Sequence, residues 1–125
     1  MKQHKLTAGS GFHNVVASIT HSGDDLIVCI CGGEKEHVGA VALAIPRPSL
    51  ADPKKISAST SVLCLTGHKE DEIARDGALQ LASHLNCTVV LTVGLHVDFA
   101  KPEDISILES NYSAIIEEIK KQNYC

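Results

Sequence analysis

The sequence predicts an α+β fold in which two helices cover a mostly antiparallel sheet, with the elements in the order β-β-β-β-α-β-α. Side chains along residues 12–20 alternate with a period of two, which predicts a half-buried strand. Residues 26–31 form a short apolar run after a turn. Such a pair is typical of an antiparallel hairpin. Further along, apolar residues recur at helical spacing over 73–85, and the run at 88–93 is almost wholly apolar, as in a central strand.

The first three strands are predicted to form a meander, because short turns separate them. Residues 21–25 join the first two strands, and a second turn leads into a third strand at 37–45. The residues before the first strand, 1–11, are polar and contain glycine, so we expect them to form a loose, flexible arm.

The proline-rich segment after residue 45 is predicted to end the third strand. Pro46 and Pro48 have no amide hydrogen to give to a sheet ladder. Residues 49–55 then form a loop, and a fourth strand is predicted at 62–65.

The first helix is predicted from an apolar stripe and from the charges at its start. Residues 70–72 are acidic, which favours the positive end of the helix dipole, and Asn86 is expected to end the helix. Gly77 lies in the stripe, where it lowers helix propensity by about 1 kcal/mol, so we expect it to allow close packing against the sheet. The stripe consists of Ile73, Ala74, Gly77, Ala78, Leu81, Ala82 and Leu85.

The second helix is predicted to begin at Lys101-Pro102, because proline and the acids that follow it suit a first helical turn. Lys120 and Lys121 suit its C-terminal end. Its buried stripe is expected to contain Ile105, Leu108, Tyr112, Ile115, Ile116 and Ile119.

Length and composition indicate a single domain, over residues 1–125, with an aliphatic core. The chain has 125 residues, of which 44 % are hydrophobic but only 3 % aromatic. Strands of this composition carry more apolar surface than two helices cover, and exposed apolar patches usually mark interfaces. We therefore expect a two-fold homodimer, the commonest symmetry.

Charge and hydropathy also restrict the partners. The formal net charge is −4, and the basic residues form no cluster, so the sequence is unlike that of a nucleic-acid-binding protein. The apolar runs are far shorter than the roughly 20 residues that cross a bilayer, so no membrane partner is expected. The first residues are not followed by the apolar core of a signal peptide, and we expect a cytoplasmic protein.

The five cysteines are expected to be free, buried thiols rather than disulfides or zinc ligands. Cys29 and Cys31 are two residues apart, which places them on one face of a strand, but zinc sites usually have two residues between paired cysteines.

Two motifs, Gly67-His68-Lys69-Glu70-Asp71 and Gly94-Leu95-His96-Val97-Asp98, carry the candidate site. Each begins with a glycine after an apolar strand and contains a histidine and an acid. The two strands flank a helix, and such a unit usually has neighbouring parallel strands. We therefore expect His68, Lys69, Asp71, His96 and Asp98 to converge in one cleft at the C-terminal ends of the strands, where α/β sheets bind ligands.

These residue types suit a phosphate or a divalent cation. His68 and Lys69 open a helix, whose free amide groups could hold a phosphate, although the acids at 70–72 would repel it unless a cation intervened. His68, His96 and Asp98 could ligate zinc, manganese or iron. The alternatives are a solvated helix start and a purely structural bond between His96 and Asp98.

His37 and Arg47 are weaker candidates for the same cleft, contributed by the meander or by a second subunit. Both are otherwise ordinary surface residues. The sequence contains neither a G-x-S-x-G, a Walker loop nor a G-x-G-x-x-G motif, and no spacing places a histidine to activate a cysteine. We therefore expect no catalytic residues.

Several segments of the chain resemble those of the prenylated flavin chaperone LpdD-like family. The resemblance covers roughly residues 12–120, and the pair of motifs at 67–71 and 94–98 is its most specific part; the other matching segments are 36–40, 45–50 and 59–63. It implies a fold similar to that of proteasome assembly chaperones. It also implies a dimer that binds reduced prenylated FMN and helps to deliver it to a UbiD-type decarboxylase.

Two other functions remain open. A small metal-dependent enzyme acting on a phosphorylated or carboxylated substrate would use His68, His96 and Asp98 as ligands and Asp71 as its base. A pure protein-assembly chaperone would bind a protein through the sheet or the helices and would ignore small ligands.

Overall fold

The structure, a computed structural model, describes residues 1–65 and 70–122. A 3₁₀ turn spans Gly11–His13. The strands are β1 Gln3–Ala8, β2 Val15–Ser22, β3 Asp25–Gly33, β4 Ala40–Pro48, β5 Ile56–Cys64 and β6 Val89–His96, and the helices are α1 Asp71–Leu85 and α2 Pro102–Gln122.

The strands form a six-stranded sheet in the order β1-β2-β3-β6-β4-β5. Only β3 and β6 pair in parallel, so the predicted α+β class with a mostly antiparallel sheet is confirmed. The hairpin of β2 and β3 is confirmed as well, but the predicted meander is wrong, because β6 lies between β3 and β4. The apolar β6 takes the centre, and residues 34–39 can reach about 20 Å, enough to step over one strand.

The N-terminal residues do not form the predicted arm. β1 pairs antiparallel with β2 from Gln3 opposite Thr20 to Ala8 opposite Val15. Leu6 and Ala8 are half-buried and pack against the core, which accounts for the ordering of this edge strand.

The two prolines of β4 do not end its ladder. Pro46 pairs with Ala58 and Pro48 with Ile56 in β5. On its other side β4 pairs with β6 only as far as Ala44, so the prolines lie where no third strand requires an amide hydrogen.

Both helices pack on one face of the sheet, here called the covered face. α1 contacts β4, β5 and β6, whereas α2 contacts β1, β2 and β3. The buried core between the helices and the sheet is aliphatic, as predicted, and its largest fully buried side chains are Ile19, Leu26, Ile30, Leu81, Leu91, Ile115 and Ile119.

The opposite side of the sheet is here called the open face. Along each strand, side chains on the open face alternate with side chains of the core. The strand pairing places the following residues on the open face: Ile27, Cys29, Cys31, Val41, Leu43, Ile45, Leu63, Val90 and Thr92. Cys29 is exposed and Cys31 half-buried, so the two thiols share a face as predicted, but the expectation that the cysteines are buried is wrong here.

The predicted boundaries of the first helix are confirmed, and Asn86 ends it in the left-handed conformation with φ 53°. Gly77 is buried, but it faces α2 rather than the sheet. A methyl group at this position would collide with the hydroxyl of Tyr112, which donates a hydrogen bond to the Ile73 carbonyl at 2.7 Å. Burial, and secondarily the charge of Asp76, raise the pKa of Tyr112 far above its usual value, so it stays a donor.

The second helix begins at Pro102, as predicted. Its first turn is held by the Asp104 carboxylate, which accepts a hydrogen bond from the Lys101 amide at 2.9 Å and lies 2.7 Å from Nε2 of His13. The predicted buried stripe is confirmed except for Ile105, which lies in the first turn of the helix and is 49 % exposed. Neither helix of the described ranges is long and apolar enough to cross a membrane.

Candidate functional site

The candidate site lies at the C-terminal ends of the parallel strands β3 and β6, beside the start of α1. His96 is the last residue of β6 and is opposite Gly33 of β3. Gly33 has φ 87°, a conformation that favours glycine, and a side chain there would collide with the His96 backbone. The Glu34 amide donates to the His96 carbonyl at 2.7 Å, so the segment 34–39 begins directly against the end of β6.

His37 lies over the same end of β6. Gly94 makes this possible, because a side chain there would collide with the His37 carbonyl and approach its ring. The Cys31 thiol donates to the His37 carbonyl at 3.6 Å, and the His37 Nδ1 lies 3.3 Å from the Lys35 carbonyl. His37 is therefore fixed by its backbone and its ring and is not an ordinary surface histidine.

Glu70 brings a buried carboxylate to the site. It immediately precedes α1 and is 8 % exposed. Its Oε1 accepts a hydrogen bond from the Leu95 amide at 3.3 Å and lies 3.3 Å from Nε2 of His37. Gly39 also touches this carboxylate closely enough to exclude any side chain.

His96 and Asp98 form a second histidine–carboxylate pair, which is more exposed. The His96 Nε2 and the Asp98 Oδ1 are 2.8 Å apart. The rings of His37 and His96 meet nearly perpendicularly, with centroids 6.0 Å apart. His37, Glu70, His96 and Asp98 are here called the edge cluster.

The structure brings together only part of the predicted site. His96 and Asp98 lie in the edge cluster, and Asp71 is adjacent to it as the exposed first residue of α1. His68 and Lys69 lie outside the described residues. The predicted strand–helix–strand geometry is wrong in one respect: β4 separates β5 from β6, although their C-terminal ends share one edge of the sheet.

His37 and Arg47, the two weaker candidates, are far apart. His37 belongs to the edge cluster. Arg47 lies near the opposite end of β4, where it donates to the Ser59 hydroxyl at 2.9 Å and to the Pro48 carbonyl at 3.0 Å. The seven residue-to-residue steps from Ala40 to Arg47 span roughly 23 Å at 3.3 Å per step, so Arg47 is remote from His96 in the same subunit.

The donors of the edge cluster fit a metal only in part. His96 and Asp98 offer a nitrogen and an oxygen ligand, but they bond to each other, and His37 faces Glu70. Within residues 1–65 and 70–122, no group of three or more histidine, cysteine or acidic side chains is arranged to hold a metal ion. A metal here would need a further ligand from outside these residues, and His68 is the one that the sequence predicts.

The fit to a phosphate is likewise partial. The imidazole of His96 could donate to it, but both ring nitrogens of His37 already face protein acceptors, and the carboxylates of Glu70 and Asp98 would repel it. Lys69, predicted to neutralise the phosphate, lies outside the described residues.

The nearest thiol is unsuited to nucleophilic chemistry. Burial, together with the neighbouring Cys29, raises the pKa of Cys31 above its usual value. A reactive cysteine requires the opposite, a lowered pKa that favours the thiolate. Cys31 is therefore a protonated thiol whose hydrogen bond holds the His37 carbonyl.

Sequence patterns missed Glu70 and undervalued His37. Glu70 resembled one of three solvated acids in a first helical turn. The glycines at 32, 33, 39 and 94 were a usable signal. At each of them, another part of the chain packs closely against the backbone near the end of β6, where a side chain would collide with it.

Comparisons with known proteins agree with the expected family and fold. Residues 9–123 match the family model described as prenylated flavin chaperone LpdD-like domain. A search of curated proteins gave no match. Among solved structures, the chain is similar to one from a chaperone complex for yeast 20S proteasome assembly, with 17 % identity, a TM-score of 0.57 and coverage of 99 % of this chain and 98 % of that one. At that identity the likeness establishes the fold alone, and it confirms the predicted similarity to proteasome assembly chaperones.

Proposed function

We propose, because the chain belongs to the prenylated flavin chaperone LpdD-like family, that it is a non-catalytic carrier of reduced prenylated FMN. In this proposal it works in the cytoplasm and assists delivery of the cofactor to a UbiD-type decarboxylase. The family match over residues 9–123 is the observation that carries the proposal.

The chemistry of the edge cluster is compatible with carriage. The raised pKa of Cys31 keeps the adjacent thiol protonated and thus a poor nucleophile. Binding a flavin requires positioned donors and a surface for the ring, and neither demands an activated nucleophile.

In the proposed complex the flavin phosphate lies at the edge cluster. His96, His68 and Lys69 would donate to it, and Asp71, the first residue of α1, would contact it only through a bridging cation. A divalent cation would neutralise the phosphate and the nearby carboxylates if His68 joined His96 and Asp98 as the third ligand. Arg47 lies too far from His96 along β4 to reach the flavin phosphate in its own subunit. In this proposal it could contact the flavin only from the second subunit of a dimer.

We propose that the carrier is a homodimer joined through the open face. Over residues 40–45 of β4 the covered face has only Ala40, Ala42 and Ala44, whereas the open face has the larger Val41, Leu43 and Ile45. β4 thus places its small residues towards the helices and its larger apolar residues on the open face. In a monomer, this apolar surface would be in contact with water.

The size and charge of the open face suit a second copy. With strands about 4.8 Å apart and a rise of about 3.3 Å per residue, a six-stranded sheet offers a face of roughly 24 Å by 20 Å. That flat area, about 480 Å², is somewhat more than half of the roughly 800 Å² per partner of a standard interface, and side-chain relief adds to it. The aliphatic centre is uncharged, and Lys5 and Arg47 lie towards its margins, so two copies meet without repulsion at the centre.

The test of the carrier function is anaerobic mixing of the purified protein with reduced prenylated FMN, followed by size-exclusion chromatography. We expect the chromophore to co-elute with the protein. His96→Ala should abolish co-elution with little change in thermal midpoint, because the side chain is half-exposed. His84→Ala, which changes an exposed histidine in the last turn of α1, is the matched control.

Two outcomes contradict the proposal. If His96→Ala lowers the thermal midpoint strongly and leaves flavin binding intact, His96 and Asp98 are only a structural pair. If the wild-type protein never retains the flavin but captures the decarboxylase, the chain is a pure protein-assembly chaperone.

A further inference from the structure

Glu70 is the one buried charged side chain in the described parts of the chain. Removing a carboxylate from water is costly by several kcal/mol unless hydrogen bonds and opposite charges replace the lost hydration. A buried acid at this position therefore requires specific partners.

The partners of Glu70 belong to different segments of the chain. The Leu95 amide is in β6, and His37 and Gly39 are in the connection between β3 and β4. The Gly39 amide itself donates to the Val93 carbonyl at 2.9 Å, so this connection is tied to β6 on both sides of the carboxylate.

Glu70 does not serve its own helix in the usual way. It occupies the N-cap position of α1, yet its side chain makes no capping hydrogen bond. Asp71 and Glu72 already supply the negative charge that favours the helix dipole. The carboxylate is directed instead into the edge cluster.

We infer that Glu70 is a positioning residue of the ligand site: by holding both His37 and the Leu95 amide, it keeps the His37 ring against the end of β6, beside His96. This inference rests on the proposed function insofar as the ligand is reduced prenylated FMN. Glu70 acts through its neighbours and is not itself expected to touch the flavin.

The experiment compares Glu70→Ala, Glu70→Gln and the control Glu72→Ala. Glu72 carries the same charge in the same helical turn but is exposed. Binding of reduced prenylated FMN should weaken by about 10–100-fold in Glu70→Ala, the usual effect of losing a residue that orients a ligand-binding group. Glu70→Gln should lie between Glu70→Ala and the wild type, because its amide oxygen can still accept from Leu95 but its charge opposite His37 is lost. Glu72→Ala should bind as the wild type does.

Hydrogen exchange provides a readout that does not depend on the flavin. The amides of Gly39 and Leu95 should exchange faster in Glu70→Ala than in Glu72→Ala, while the amides of β2 and the rest of the core stay protected. If exchange at these two amides is unchanged, or if Glu70→Ala binds the flavin normally, the inference is wrong.

Two further outcomes are decisive. If Glu70→Ala does not fold, Glu70→Gln is the test, and wild-type binding by that variant would reduce Glu70 to a structural role and overturn the inference. If the wild type itself fails to bind the flavin, the proposed function falls, and the exchange rates of Gly39 and Leu95 alone decide whether Glu70 holds the segments together.

Discussion

Both faces of the sheet carry large aliphatic side chains, but only one face buries them. Leu26 and Ile27 are neighbours in β3, and they are 1 % and 44 % exposed, respectively. The covered face has two helices against it, so its side chains stabilise the subunit. The open face has neither described helix against it, so its half-buried and exposed side chains stabilise the subunit less and would gain further burial on association. The sheet thus separates the residues that fold the chain from those that would join it to a partner.

The largest difference between the faces is expected at Leu91 and Val90 in β6. Leu91 is fully buried on the covered face, so Leu91→Ala should lower the free energy of unfolding by about 2–5 kcal/mol. Val90→Ala, on the half-buried open side, should cost less than half as much. Urea unfolding of both variants at one protein concentration measures this, and equal losses would contradict the assignment of the faces.

The second difference concerns association. Leu43 on the open face and Ile107 on α2 are 39 % and 41 % exposed, so they are matched in accessibility. Leu43→Glu should convert the proposed dimer to a monomer, because it places a charge in the proposed aliphatic interface, whereas Ile107→Glu should leave the mass unchanged. Light scattering at micromolar concentration measures the mass. A monomeric wild type, or a dimer that survives Leu43→Glu, would mean that two copies do not meet through the open face.

A third test concerns the contact between Gly77 of α1 and Tyr112 of α2 on the covered side of the sheet. Tyr112→Phe should cost about 1 kcal/mol through the lost bond to Ile73. Gly77→Ala should destabilise the protein by about 1–3 kcal/mol through collision with Tyr112, which outweighs its gain in helix propensity. The double variant should lose less than the sum, because the missing hydroxyl relieves the collision. Strict additivity in urea unfolding would exclude this contact.

The smallest effect is expected at the exposed start of α2. The Lys101 amide, and secondarily His13, lower the pKa of Asp104 below its ordinary value of 3.8. A lowered pKa in the folded state means that Asp104 stabilises the fold above that ordinary value. This contribution is lost as the pH falls through the folded-state pKa. Thermal midpoints of Asp104→Asn should therefore fall less steeply than those of the wild type between about pH 5 and pH 2, and parallel curves would refute the interaction.

The sequence was sufficient for the helices because their signals are local. The four-residue spacing, Asn86 at the end of α1 and Pro102 at the start of α2 each act within a turn or two. The order of the strands was not predictable in this way, because no local pattern determines that β6 enters between β3 and β4. The predictions of a meander and of neighbouring strands in the strand–helix–strand unit were both wrong because β6 pairs with β3 and β4.

The same distinction explains what was predicted of the site. His96 and Asp98 lie two residues apart, so their proximity follows from the sequence. Glu70 becomes a buried residue only through Gly39 and Leu95, which come from other segments. Arg47 was placed too near the site, because its distance from His96 depends on the antiparallel pairing of β4 with β6.

The central position of β6 has a consequence for how the chain folds. β1, β2 and β3 pair with one another, as do β4 and β5, so each group can form soon after it is synthesised. The two groups become one sheet only when residues 89–96 have been synthesised and insert between them. Long-range pairing of this kind is slow, and the unpaired edges of β3 and β4 remain available to other chains until it is complete. A nascent chain that stalls before β6 would thus expose two half-sheets. Insertion of β6 is therefore the step that protects this protein from aggregation.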